Sequence, residues 1–144
     1  MLSTVKGLFT SNEFYAAYKE IEKARESIRD GKYDTAITNS ISSAESTMRI
    51  IHEKTNTELP NNKSVAELFK STRQILKFDE ADKEQILLQL VNNLHGLVST
   101  FGSLRNSLSD AHGRGNLSGM AQEYYAELAV NISATLSTLL VRRY

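Results

Sequence analysis

Apolar residues recur along this chain at intervals of three and four, the spacing that places side chains on one face of an α-helix. No stretch carries the two-residue alternation of a strand. The first segment is predicted to open at Thr10, because Thr10 and Glu13 are spaced as a capping box. It lines one face with Phe14, Ala17, Ile21, Ala24 and Ile28 and stops near Gly31. A second segment runs from Tyr33 to about Lys54 on Ile37, Ile41, Ala44, Met48 and Ile51, so the first two helices form an antiparallel hairpin. The Asn- and Thr-rich stretch from Thr55 to Lys63, which holds the sole proline, Pro60, reads as a loop inside one domain. Ser64 and Glu67 make another capping box. Val65, Leu68, Phe69, Thr72 and Leu76 follow it as a short helix that ends around Phe78 and covers one end of a bundle.

The strongest repeat starts near Glu80, where Leu87, Leu90, Leu94, Leu97, Phe101, Leu104 and Leu108 alternate at three and four, and this segment is predicted to be the central helix. Such a seam can pack inside its own bundle or against a second copy of itself. From Asp110 to Ser118, with Gly113, Gly115 and the nearby Gly119, the pattern breaks. A last helix, about Met120 to Arg142, is expected to bury Ala121, Tyr125, Leu128, Ile132, Thr135 and Leu139, with Arg142 and Arg143 suited to its negative end. The predicted architecture is all-α: one domain over residues 1–144, an up-down bundle of about five helices.

Composition removes several function classes. The 144 residues suit one core, and with 40% apolar and 24% charged residues no window approaches the run of roughly 20 apolar residues that spans a bilayer. The N-terminus lacks the features of a secretion signal, so a cytoplasmic protein is expected. There is no cysteine, which excludes disulfides, thiolate zinc sites and cysteine nucleophiles. Seventeen basic and seventeen acidic residues cancel, so any contact with RNA has to be local and weak rather than driven by a global positive field. His52, His95 and His112 stand in three separate places with no metal-binding spacing, so neither a metal nor another cofactor is expected. His52 and His95 read as packing residues. The serines of the second helix, Ser40, Ser42, Ser43 and Ser46, read as helix contacts or solvent-facing positions, and Tyr124 and Tyr125 as core. The Arg142-Arg143-Tyr144 tail reads as a solvated basic end.

Chemistry concentrates in one stretch, Arg105-Asn106-Ser107-Leu108-Ser109-Asp110-Ala111-His112-Gly113-Arg114-Gly115. On a continuous helix, positions seven apart differ by only about 20° in direction, so Arg105 and His112 share a face. A guanidinium matches the oxygens of a phosphate and an imidazole moves protons near neutral pH, a pairing suited to phosphodiester cleavage. Asn106 and Asp110 can support the pair from the adjoining face, and around Arg114 the glycines Gly113 and Gly115 allow backbone amides to approach an anion. The bland alternative is a histidine that merely caps a helix end.

At this stretch the sequence resembles the abortive-infection C-terminal domain family of the HEPN superfamily, in Leu104-Arg105-Asn106 followed by Asp110-Ala111-His112-Gly113-Arg114-Gly115. The likeness extends to Gly31-Lys32-Tyr33-Asp34-Thr35-Ala36-Ile37, to Ala44-Glu45 and to Leu128-Ala129-Val130-Asn131. The superfamily's nucleases carry Arg, a polar residue, then His after four to six intervening positions. The resemblance implies a metal-independent endoribonuclease of a phage-defence or toxin system, working as a homodimer with two motifs in one cleft. In that role Arg105 and His112 are catalytic, Asn106 and Asp110 supporting, and Gly113, Arg114 and Gly115 substrate-binding. Cleavage by a ribose 2′-hydroxyl needs a base, an acid and charge stabilisation, and two chains supply the two histidines. An antitoxin or regulatory protein is a further partner the resemblance implies. Many HEPN domains lack activity, so a catalytically inactive dimerisation or ligand-binding module stands as the alternative.

Overall fold

A computed structural model describes residues 13–81, 84–113 and 122–144, the side chains of 81 and 110–113 excepted. Among the described residues there are six helices: α1 (Tyr15–Arg29), α2 (Tyr33–Lys54), α3 (Val65–Ile75), α4 (Phe78–Ala81), α5 (Gln85–Gly113) and α6 (Glu123–Arg143). The five predicted helices are all present, and α4 is an added single turn. No helix among the described residues is long and apolar enough to cross a membrane.

Local chemistry sets the helix ends. α1 begins at Tyr15 rather than at Thr10: Phe14 has a non-helical backbone, with φ −116° and ψ 20°. Its ring is buried, edge-on to Tyr144 at 6.0 Å between centroids. Thr10 of the predicted capping box lies outside the described residues. At the other end Gly31 takes φ +74°, open to glycine without strain. Lys32 N–H donates to the Ser27 carbonyl at 2.7 Å and Gly31 N–H to that of Ile28 at 3.0 Å, the paired bonds of a Schellman stop. The Ser64 hydroxyl accepts from Glu67 N–H at 3.3 Å, so the capping box predicted at α3 forms its serine half.

The centre of the bundle is α2, not the predicted α5. Ten of its residues are buried, and it packs against α1, α3, α5 and α6. Large side chains such as Ile37, Met48 and Ile51 are sealed, each worth about 1.5–3 kcal/mol on removal from water. Small polar residues let neighbouring backbones come close: Ser43 Oγ donates to the Ala17 carbonyl of α1 at 2.7 Å, and Thr47 Oγ1 to Ser137 Oγ of α6 at 3.2 Å.

That packing turns most of the predicted face of α6 outward, although Ile132 is half-buried against the core as expected. Its buried residues are mostly small, among them Ala126, Ala129, Ser133, Ala134 and Ser137, interleaved with Leu136 and Leu140. Tyr125, Leu128 and Leu139 are 47%, 44% and 36% exposed, Tyr124 is 61% exposed, and Thr135 also faces out. Helices close enough for Thr47 and Ser137 to hydrogen-bond across the contact leave little room there for bulky rings, so size overrides hydrophobicity. Ala121 lies outside the described residues. On α5, Phe101 and Leu108 are buried as expected together with Val91 and Val98, and Leu94, Leu97 and Leu104 are half-buried, whereas Leu87 and Leu90 are exposed. The basic tail is not simply solvated: Arg143 donates to the Leu76 and Lys77 carbonyls, both at 3.2 Å, and lies over the Phe78 ring at 4.9 Å.

Candidate functional site

α5 is pinned at Phe101 and Leu108, both buried, and this fixes the direction in which Arg105 leaves the helix between them. Across the gap, Ala44 and Met48 are sealed in the core and hold Glu45 at its edge. The Arg105 Nη1 donates to Glu45 Oε1 in a short hydrogen bond, and Nη2 reaches Oε2 at 3.5 Å. Their side chains are 22% and 14% exposed. An end-on grip of this kind engages two of the five guanidinium N–H groups, so Arg105 is fixed in place without being saturated. Glu45 had only a resemblance to point to it. Sixty positions separate the pair in sequence, and no helical periodicity links residues on different helices.

The predicted break at Asp110 does not occur there: α5 stays helical through Gly113. Arg105 and His112 therefore belong to one uninterrupted helix, about 10 Å apart along its axis. The side chains of Asp110 and His112 lie outside the described residues, as do Arg114 and Gly115. Asn106 is exposed, and its side-chain amide has no hydrogen bond among the described residues.

Beside Arg105, the start of α3 crosses α5. A Cβ at Gly102 would stand 2.5 Å from Val65 Cγ1, so only glycine permits this approach. The crossing leaves a cavity of about 480 Å³ along α5, walled by Ser99, Ser103, Arg105 and Asn106 on one side and Asn62 and Ser64 on the other. A second hollow, about 410 Å³ and apolar, runs between α5 and α6 on Leu87, Leu90, Leu94, Leu97, Leu139 and Phe78.

The other two histidines are structural. His52 is 1% exposed, with Nδ1 2.7 Å from the Met48 carbonyl and Nε2 2.7 Å from Ser71 Oγ. A carbonyl only accepts, so Nδ1 carries the proton and Ser71 donates to Nε2. His95 ties α5 to α3: Nε2 donates to the Ala66 carbonyl at 3.1 Å, its ring meets Phe69 edge-on, and Nδ1 faces Arg73 at 3.4 Å. Burial holds the His95 imidazole below its ordinary pKa; the bond to Ala66 opposes this and the Arg73 charge adds to it. Arg73 is itself held by Asp79 at 2.6 Å and Asn92 at 2.8 Å. Among the described residues no group of three or more His, Cys, Asp or Glu side chains could hold a metal ion.

No curated protein and no solved structure matches the chain. The family profile Abi_C, a HEPN-like domain, matches residues 15–144. That span takes in every helix described above together with the whole stretch from Arg105 to Gly115. The chain belongs to the Abi_C family of HEPN-like domains.

Proposed function

We propose that this domain is a metal-independent endoribonuclease of a phage-defence or toxin system, acting in the cytoplasm as a homodimer. The observation that carries the reading is a guanidinium fixed by Glu45 on the same unbroken helix as His112, with donors to spare and a polar cavity alongside. In the reaction the 2′-oxygen of a ribose attacks the adjacent phosphorus while its proton passes to a base. The bond from phosphorus to the 5′-oxygen breaks, and an acid protonates the leaving oxygen. His112 supplies one of these roles and the same histidine of a second copy the other. Arg105 neutralises the charge that builds on the phosphate, Asn106 and Asp110 orient the pair, and Gly113, Arg114 and Gly115 bind backbone phosphate.

A homodimer gives the outward residues of α5 and α6 something to cover them: Ile86, Leu87, Leu90, Tyr125 and Leu128 are all more than two-fifths exposed. An antitoxin or other regulatory protein is the proposed restraint on activity. The test is incubation of the purified chain with RNA in EDTA beside an Arg105→Ala, His112→Ala double variant. Cleavage by the wild type alone supports the reading, and identical behaviour of the two refutes it.

A second reading, a catalytically inactive dimerisation or ligand-binding module, draws on the same ion pair. Glu45 already compensates the Arg105 charge, as a purely structural arginine would require. It predicts ligand binding or dimerisation that survives His112→Ala.

A further inference from the structure

The cavity at the crossing of α3 and α5 has a composition that nothing in the cleavage chemistry demands. Among the described residues Arg105 is the one charged side chain in its lining and no carboxylate lines it, so the unengaged guanidinium N–H groups can take an anionic group there. Val65 and Ala66 supply a small apolar surface, and the rest is amide and hydroxyl. Asn62 Oδ1 accepts from Ser64 N–H at 3.0 Å, which leaves the Asn62 amide hydrogens without a partner among the described residues. The Asn106 amide is likewise unpaired among them. Ser99 and Ser103 donate to the carbonyls one turn back, at 2.8 and 3.2 Å, so their hydroxyl oxygens retain lone pairs that can accept. Donors, acceptors and a small apolar surface thus converge on one hollow of about 480 Å³.

Its direction matters as much as its content. Asn106 and Arg105 stand at the end nearest the motif, and Ser99 lies seven residues back along α5, about 10 Å by helical rise. A phosphate at Arg105 therefore has its attached nucleoside within reach of the hollow. Neutral amides facing a base can read its hydrogen-bonding edge once the base is unpaired. The hollow exists because residue 102 is glycine, which lets the start of α3 come against α5 at Val65.

We infer that the cavity between the start of α3 and α5 binds one unpaired nucleoside of an RNA strand whose phosphate sits at Arg105, with Asn62 and Asn106 gripping the base and Ser103 forming only part of the wall. This rests on the RNA-cleavage reading only for the identity of the strand, and its test measures binding without cleavage.

The probe is an RNA trinucleotide with 2′-O-methyl riboses throughout, which has no 2′-hydroxyl to attack, together with the same molecule lacking one base. Titrated into the wild-type chain, the intact probe is expected to shift the backbone amides of Ser64, Ala66, Ser103 and Asn106 and to bind at least tenfold more tightly than the abasic one. Ser103→Phe, on the exposed side of α5, fills the hollow and is expected to weaken binding tenfold or more, while Ser103→Ala binds nearly as the wild type. Equal binding of the two probes, wild-type affinity in Ser103→Phe, amide shifts confined to other helices, or no binding at all would each overturn the assignment. Binding as expected, with unmodified RNA left uncut, keeps the nucleoside site and removes the nuclease reading instead.

Discussion

Arg105 on α5 and Glu45 on α2 form an ion pair that is largely withdrawn from water, and among the described residues it is the polar tie that draws the motif helix onto the central helix at the candidate site. Desolvated pairs of this sort are unforgiving when one partner goes, because the other charge is left without compensation. Glu45→Ala is expected to destabilise the domain by about 1–3 kcal/mol, and Glu45→Gln, which keeps a hydrogen-bond acceptor, by less. Thermal or denaturant unfolding measures both. If Glu45 also positions Arg105 for phosphate, RNA cleavage falls in Glu45→Gln by more than the change in folded fraction explains.

Two glycines of α5 are expected to respond oppositely to alanine. At Gly96 a Cβ meets nothing within 4 Å, so Gly96→Ala gains helix propensity and stabilises by about 0.5–1 kcal/mol. At Gly102 the same methyl would collide with Val65, so Gly102→Ala destabilises despite its better propensity, and Val65→Ala in the same chain relieves much of the loss. Denaturation midpoints of the three variants beside the wild type decide the matter.

Stability should fall on the acid side of neutrality in part through His95. Burial depresses its pKa in the folded chain, whereas the unfolded chain takes up a proton at about pH 6.5. The unfolded state thus binds more protons as pH drops. The contribution is present above about pH 6.5 and is lost as pH falls through the lower folded value. His95→Gln should flatten this part of the profile, read from unfolding free energies between pH 7.5 and 5; an unchanged slope would show that His95 has no part in it.

The two faces of α6 are expected to differ sharply. Tyr125→Lys and Leu128→Lys lie on the exposed side and should change monomer stability by no more than about 0.5 kcal/mol. Ala129→Leu and Ala134→Leu force bulk into the contact between α6 and its neighbours and should cost about 1–3 kcal/mol. Sedimentation of the lysine variants also tests the proposed homodimer, which they should weaken if α6 contributes to its interface.

Helix positions were largely legible in the sequence, because periodicity and punctuation are local. Ile37 to Ile51 and the Gly31 stop mark α2 and its start, and Ser64 marks α3. Packing was less legible. Tyr125 and Leu128 satisfy the same period as Ala126, Ala129 and Ser133, and only the close approach of α2 decides that the small set turns inward. The long leucine repeat on α5 predicts the centre of the bundle, yet Leu87 and Leu90 stand at its margin, where the repeat serves an outer surface. At the site, Arg105 and Asn106 could be singled out by residue type and spacing. Glu45 and the cavity wall at Asn62 could not, since tertiary contacts alone bring them to α5.

The central claim is most directly tested by the ends of the RNA fragments. Wild-type chain, incubated in EDTA with a short unstructured RNA, should leave 2′,3′-cyclic phosphate and 5′-hydroxyl termini. Arg105→Ala and His112→Ala should each slow that cleavage by about 100-fold or more, the scale of a lost acid, base or charge-stabilising group, while remaining folded. Fragments formed at the same rate by all three proteins, or no fragments from the wild type, would contradict the account.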